Sequence, residues 1–165
     1  MRSDGDRILL DEPEMDDLRA MYSYWRAKRR GDLLPGRRDI DPLDFPRHMP
    51  RVALIDVLRD ESPVHFRYRL AGTEIGNRAG RDPTGKRFDE LYRGPYLEQA
   101  LETYWAILKA GEPHFSRRAF PLIEGREYLQ YARLILPLAG DGRAIDMLLL
   151  VTAYLERVEV DAPSV

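Results

Sequence analysis

The chain has 165 residues, of which 44% are hydrophobic and 33% charged, a balance typical of one globular domain. Its formal net charge of −2 lacks the basic excess that binding to nucleic acid requires. The sequence contains no cysteine, which excludes disulfides, thiolate metal sites and cysteine nucleophiles.

The apolar segments are too short to cross a membrane. The longest run, Met147 to Leu155, is interrupted by Thr152, whereas a membrane helix needs about 20 apolar residues. The first residues, Met1 to Asp6, lack the basic start and apolar core of a secretion signal. We therefore expect a soluble, cytoplasmic protein with no membrane contact.

The first predicted element is an amphipathic helix that starts near Pro13. Acidic residues follow this proline, and Lys28 to Arg30 are expected in the last turn before Gly31, an arrangement that suits the helix dipole. Apolar residues at helical spacing predict one buried stripe. These residues are Met15, Leu18, Tyr22 and Trp25.

Prolines recur from Leu34 to Pro50 and exclude a regular helix or a central strand there. We predict that this segment is an ordered wrap. Its expected anchors are Ile40, Leu43 and Phe45.

The rest of the chain alternates between strand and helix patterns. Two strands in a hairpin, 52–58 and 66–70, precede short helices between Gly72 and Tyr92 and a longer helix from Gly94 to Gly111. Three strands then follow at 114–122, 128–138 and 145–155, with a turn at 124–126. Antiparallel hairpins with helices grouped between them indicate an α+β fold.

This order resembles that of a PAS domain, and short motifs support the resemblance. They are Gly85-Lys86, Phe88-Asp89-Glu90-Leu91, Gly111-Glu112-Pro113 and the link from Pro137 to Gly142. Upstream, Trp25, Leu34-Pro35 and the segment from Gly80 to Gly85 are similar to a PAS-like family of small, mostly stand-alone proteobacterial proteins. The resemblance predicts an N-terminal helix and wrap (1–50), the PAS-like domain (51–156) and a short tail (157–165).

The resemblance implies a five-stranded antiparallel sheet with short helices and one longer helix on one face. It also implies a ligand-sized cavity beside the sheet, frequent dimerisation and a regulatory protein partner. It names no ligand or cofactor. Flavin photosensors of this fold, which use an adduct-forming cysteine, are excluded because the chain has none.

Aromatic residues are expected around that cavity, where tyrosine hydroxyls can orient a flat or apolar ligand. The alternative for each of them is simple core packing. Arg69 and Arg133, on strands that look adjacent, are candidates for binding a carboxylate ligand. The candidate ligand-binding residues are Tyr68, Tyr92, Tyr104, His114, Tyr128 and Arg133, with Tyr96 and Tyr131 in the same aromatic group.

Other chemistries have weaker support. The segment from Gly80 to Lys86 matches the spacing of a phosphate-binding loop, but Arg87 replaces the required Ser or Thr, so a turn is the simpler interpretation. The three histidines are too far apart in sequence for a local zinc pair, although His65 or His114 could ligate a haem in an open pocket. No serine lies in a nucleophile elbow. We therefore assign no catalytic or metal-binding residue.

The leading hypothesis is a regulatory PAS-like module and not an enzyme. It would be a homodimer formed through the N-terminal helix, with Met15, Tyr22 and Trp25 at the contact. One alternative is an interaction adaptor with a filled core and an apolar surface patch. Another is a small enzyme that uses the cavity, which a buried carboxylate or histidine facing an open pocket would favour.

Overall fold

The structure is a computed structural model that describes residues 15–121 and 127–159, with side chains described for 15–117 and 131–153. The expected helix start at Pro13, the turn at 124–126, the end of the tail and the side chain of Tyr128 therefore lie outside the described residues. None of the helices in the described part combines the length and apolar character needed to cross a membrane.

A five-stranded antiparallel sheet forms the centre of the molecule, in the order β2-β1-β5-β4-β3. The predicted α+β fold and its five strands are confirmed. The last strand starts two residues later than predicted, at Met147, which pairs with Leu138 at the end of the preceding strand. The strands are β1 (Val52–Leu58), β2 (His65–Ala71), β3 (His114–Pro121), β4 (Glu127–Leu138) and β5 (Met147–Glu159).

The N-terminal helix α1 (Asp16–Ala27) covers one face of the sheet, where Leu18, Met21 and Trp25 pack on β4 and β5. The helix ends before the basic residues, so the prediction that Lys28 to Arg30 form its last turn is wrong. The proposed dimer contact also needs correction. Met15 and Trp25 are 0% and 1% exposed inside their own chain, so they are not available to a partner.

The proline-rich segment wraps the same face as three short 3₁₀ turns, Arg37–Asp39, Pro42–Asp44 and Met49–Arg51. Ile40 and Phe45 are buried and anchor it as predicted. Leu43 is 84% exposed, so its prediction as an anchor is wrong. The side chain of Asp41 accepts from the backbone N–H of Leu43, and this cap fixes the turn that carries Leu43 outward.

Three helices cover the opposite face: α2 (Thr73–Ala79), α3 (Phe88–Leu91) and α4 (Gly94–Ala110). This confirms the short helices and the longer helix. Leu101, Tyr104 and Ile107 of α4 are buried. Phe66, Phe88 and Tyr104 stack with ring centroids 4.9–5.5 Å apart and form the aromatic centre of this layer.

Candidate functional site

A cavity of about 150 Å³ lies on the face of the sheet that α2, α3 and α4 cover. Strands β4 and β5 form its floor, and α2, α3 and the loop after α2 form its walls. Apolar side chains and convergent polar groups share its lining, which is typical of ligand pockets. The lining includes Tyr68, Ile75, Leu91, Tyr92, Arg133 and Leu150.

Two tyrosines form a hydroxyl pair in the wall. The Tyr68 and Tyr92 oxygens are 3.1 Å apart, and either can be the donor. Burial raises the pKa of Tyr68 well above its usual value, and burial also raises the pKa of Tyr92. Both phenols are therefore protonated at neutral pH and can act as hydrogen-bond donors.

Arg133 enters the cavity from the middle of β4. Its neighbours Ala132 and Leu134 are buried in the layer under α1. Because side chains alternate along a strand, Arg133 points to the opposite face, which α2, α3 and α4 cover. Its guanidinium carbon lies 5.6 Å from the ring centroid of Tyr104, within cation–π range. Tyr104 and Arg133 also line a small recess of about 20 Å³ that shares Tyr68 and Tyr92 with the main cavity.

The lining is positively charged. Arg78, Arg81 and Arg133 contribute to it, and no carboxylate belongs to the part of the lining that the structure describes. Arg81 donates from Nη2 to the carbonyl of Leu91 and so joins the loop after α2 to α3. The cavity therefore suits an anionic ligand better than a cation.

Of the predicted ligand-binding residues, Tyr68, Tyr92 and Arg133 line the cavity, and Tyr104 lines the recess. His114 lies at the start of β3 and is not among the described lining residues of either. The predictions missed the contributions of α2, Ile75 and Arg78. Their spacing within the short helix after Gly72 places them on one face, which is the sequence feature that could have revealed them.

The hypothesis that Arg69 and Arg133 together bind one carboxylate is wrong. Arg69 lies on the edge strand β2, and both β1 and β5 separate it from Arg133 on β4. The Nε of Arg69 instead donates to Oδ1 of Asp56 at 2.8 Å. Arg69 is thus paired with a carboxylate of its own chain, away from the cavity.

A larger recess of about 370 Å³ lies between the β1–β2 connection and the segment around Arg87. Its central charges are already paired, since Arg87 forms ion pairs with both Glu61 and Asp89. Satisfied charges have little to gain from a ligand. Its volume alone does not make this recess the better candidate.

None of the described histidines lines the cavity. His48 faces Asp17, with Nδ1 and Oδ1 3.6 Å apart, and His65 faces Asp89 at 3.9 Å. Among the described residues, no group of three His, Asp or Glu side chains is placed to hold a metal ion. The segment from Gly80 follows a helix instead of a strand, which favours the turn over a phosphate-binding loop.

The architecture is an α+β domain with a cavity between the sheet and the helices of one face. A family model for the PAS domain matches residues 14–151, which is most of the chain. The chain therefore belongs to the PAS domain family.

Comparison with solved structures finds LOV proteins. A substituted form of RsLOV is 20% identical over 68% of this chain and 64% of that chain, with a TM-score of 0.48. The Rhodobacter sphaeroides LOV protein is 18% identical over 70% of this chain and 69% of that chain, with a TM-score of 0.47. A fungal LOV domain photoreceptor is 16% identical over 89% of this chain and 97% of that chain, with a TM-score of 0.48. The chain thus spans less than two thirds of the length of the substituted RsLOV structure. A search of curated proteins found no match.

Proposed function

We propose that the chain is a sensory or regulatory PAS module that binds a small molecule in the cavity beside Tyr68 and Arg133. The single observation that carries the proposal is this cavity of about 150 Å³, with its protonated tyrosine pair and its arginine. A binding role fits better than catalysis, because no carboxylate or histidine is among the described lining residues.

The volume limits the ligand. An apolar protein cavity of about 150 Å³ accommodates benzene, whereas drug-sized ligands occupy roughly 300–1,000 Å³. The part of the ligand held inside the cavity is therefore about one ring or a short chain, and a longer molecule would extend through its open side.

Binding would be transmitted through the walls of the cavity. Helix α2 and the loop after it line one side, and Arg81 couples that loop to α3. A ligand shifts such an equilibrium only by its difference in affinity between the two conformations. The output would be a conformational or dimer change that a regulatory protein partner recognises in the cytoplasm, through a dimer surface that does not use Met15 or Trp25.

The test is native mass spectrometry of the protein purified from its host, combined with ligand-observed NMR of a fragment set. Ile75→Trp adds a ring to the cavity lining. The control Leu43→Trp adds the same ring at an exposed position on the other face.

We expect a bound mass or a fragment signal for the wild type and Leu43→Trp, and its loss in Ile75→Trp. Equal binding by the two variants would overturn the assignment of the cavity. A wild-type protein that carries no extra mass and binds no fragment would overturn the sensor proposal in favour of the ligand-free adaptor.

A further inference from the structure

We propose that the ligand carries a carboxylate that Arg133 binds in a bidentate pair, with its apolar body against the tyrosines. This inference rests on the proposed function, since it assigns a chemical class to the occupant of the same cavity.

One edge of the Arg133 guanidinium has no partner among the described residues. Its Nε and Nη2 are buried, and no described residue supplies an acceptor to either. A guanidinium presents its donors in a fixed planar fork, and burying such donors without acceptors is unfavourable. A ligand that supplies two acceptors in one plane removes that penalty.

Elsewhere in this chain, the same guanidinium edge of two other arginines binds a carboxylate. Arg87 donates from Nε and Nη2 to the two carboxylate oxygens of Asp89, at 2.9 and 3.0 Å. Arg67 directs the same two nitrogens at Asp56. Both of these arginine edges therefore hold a carboxylate, and Arg133 presents an equivalent edge in the cavity lining.

Arg133 lies between two hydroxyl side chains on the sheet. Ser116 on β3 and Thr152 on β5 are its register partners, so the three side chains share one face of the sheet. The Oγ of Ser116 is buried, and no described residue pairs with it. The Thr152 hydroxyl donates to the carbonyl of Arg51 and also lines the cavity. The hydroxyl of Ser116 thus lies beside Arg133, although Ser116 is not among the described lining residues of the cavity.

The tyrosine pair favours the same class. Two phenols that share one hydrogen bond leave one hydroxyl hydrogen available, so the Tyr68–Tyr92 pair can donate to an acceptor without disruption. With Ile75, Leu91 and Leu150 around it, the remaining space is apolar. The ligand that fits all of these features is a small monocarboxylate with an apolar body of about one ring.

The test compares matched acids and amides by isothermal titration calorimetry on the full chain. The probes are benzoate with benzamide, phenylacetate with phenylacetamide, and hexanoate with hexanamide. Each pair conserves shape and changes the charge. The variants are Arg133→Gln, Arg133→Lys, which keeps the charge but loses the fork, and the control Arg143→Gln on the exposed β4–β5 turn.

We expect at least one acid to bind the wild type and Arg143→Gln about 10-fold or more tightly than its amide, in line with charge-assisted pairing. Arg133→Gln is expected to abolish this preference and Arg133→Lys to reduce it, with both variants folded as judged by circular dichroism. Amides that bind as well as acids, or acids that bind Arg133→Gln as well as wild type, would overturn the carboxylate assignment and leave the cavity as the ligand site. Binding of none of the acids would also overturn it, while the Ile75→Trp experiment decides separately on the proposed function.

Discussion

The indole nitrogen of Trp25 donates a hydrogen bond to the carbonyl oxygen of Pro137 at 2.9 Å. Pro137 lies on β4 beyond the end of its pairing with β3, which stops at Ile135. Proline has no N–H to donate, so it is tolerated at a position that has no strand partner on that side. The carbonyl oxygen of Pro137 therefore accepts its hydrogen bond from the indole. The strand that carries Arg133 to the cavity on one face is thus joined to α1 on the other.

Replacing Trp25 with Phe should destabilise the protein. The change leaves the Pro137 carbonyl without its donor and creates a void under α1, and we expect a loss of about 2–3 kcal/mol in the free energy of unfolding. Urea denaturation followed by circular dichroism measures it.

Trp105→Phe is the matched control, because Trp105 also donates its indole N–H to a backbone carbonyl, that of Val64 at 2.7 Å. Trp105 is only partly buried, so its loss is expected to cost less. If Trp105→Phe proved the more destabilising change, the importance we assign to the Trp25 anchor would be wrong.

Gly72 joins β2 to α2 where the backbone passes very close to the proline-rich wrap. A Cβ at this position would lie 2.3 Å from the carbonyl oxygen of Met49 and 2.4 Å from that of Pro50. Both contacts involve backbone atoms, so no side-chain rotation relieves them. We expect Gly72→Ala to cost about 3 kcal/mol of stability by overpacking, as measured by thermal and urea unfolding.

Gly111→Ala provides the comparison. Gly111 ends α4 with φ of +67°, and a Cβ there would meet no atom within 4 Å. Gly111→Ala is therefore unfavourable only through its backbone conformation, and we expect a loss of about 1 kcal/mol in the free energy of unfolding. An equal loss for the two variants would show that the close approach at Gly72 does not restrict the fold.

Asp56 is a buried carboxylate on β1. It forms ion pairs with Arg67 and Arg69, which both lie on β2. Asp56→Asn removes the charge and leaves two half-exposed guanidinium groups that can turn toward water. We expect a loss of about 1–3 kcal/mol in the free energy of unfolding. Because this cluster lies away from the cavity, benzoate binding in calorimetry should not change. A weaker affinity would return Arg69 to the candidate site.

Local patterns predicted the elements of the fold well, and tertiary contacts decided the details that they missed. The backbone N–H groups of Lys28 and Arg29 bond to the carbonyls three residues earlier, so α1 tightens and ends before the basic residues. Charge and a glycine predicted a later end, because neither reports this change in backbone hydrogen bonding. Hydrophobicity likewise predicted burial of Leu43, although Ile40 and Phe45 already fill the space beneath the wrap.

The site was predictable in part. Tyr68 and Tyr92 were expected near a cavity, but sequence does not distinguish a lining tyrosine from a packed one. Arg69 and Arg133 both alternate with apolar residues along a strand, and they looked alike for that reason. Their different environments depend on β5 inserting between β1 and β4, a long-range pairing that no local pattern reports.

The buried phenol of Tyr68 gives the stability of the protein a pH dependence. Burial, and secondly the nearby Tyr92 phenol, raise the pKa of Tyr68 above the value of about 10 that a tyrosine has in the unfolded chain. The folded state therefore retains a proton that the unfolded state loses. This contribution to stability is complete below pH 10 and is lost as the pH rises toward the folded pKa.

Tyr68→Phe should make stability less sensitive to alkali. Between pH 10 and 11 one such proton corresponds to a fall of about 1.4 kcal/mol per pH unit in the free energy of unfolding. We expect the wild-type slope to exceed the Tyr68→Phe slope by up to this amount, measured by urea denaturation from pH 8 to 11. The absorbance of tyrosinate supplies the control. In 8 M urea, Tyr68→Phe should show one tyrosine fewer than the wild type ionising near pH 10. In the folded state, the two proteins should show the same number ionising near pH 10. Identical slopes, or loss of a folded-state ionisation near pH 10, would mean that water reaches the Tyr68 hydroxyl.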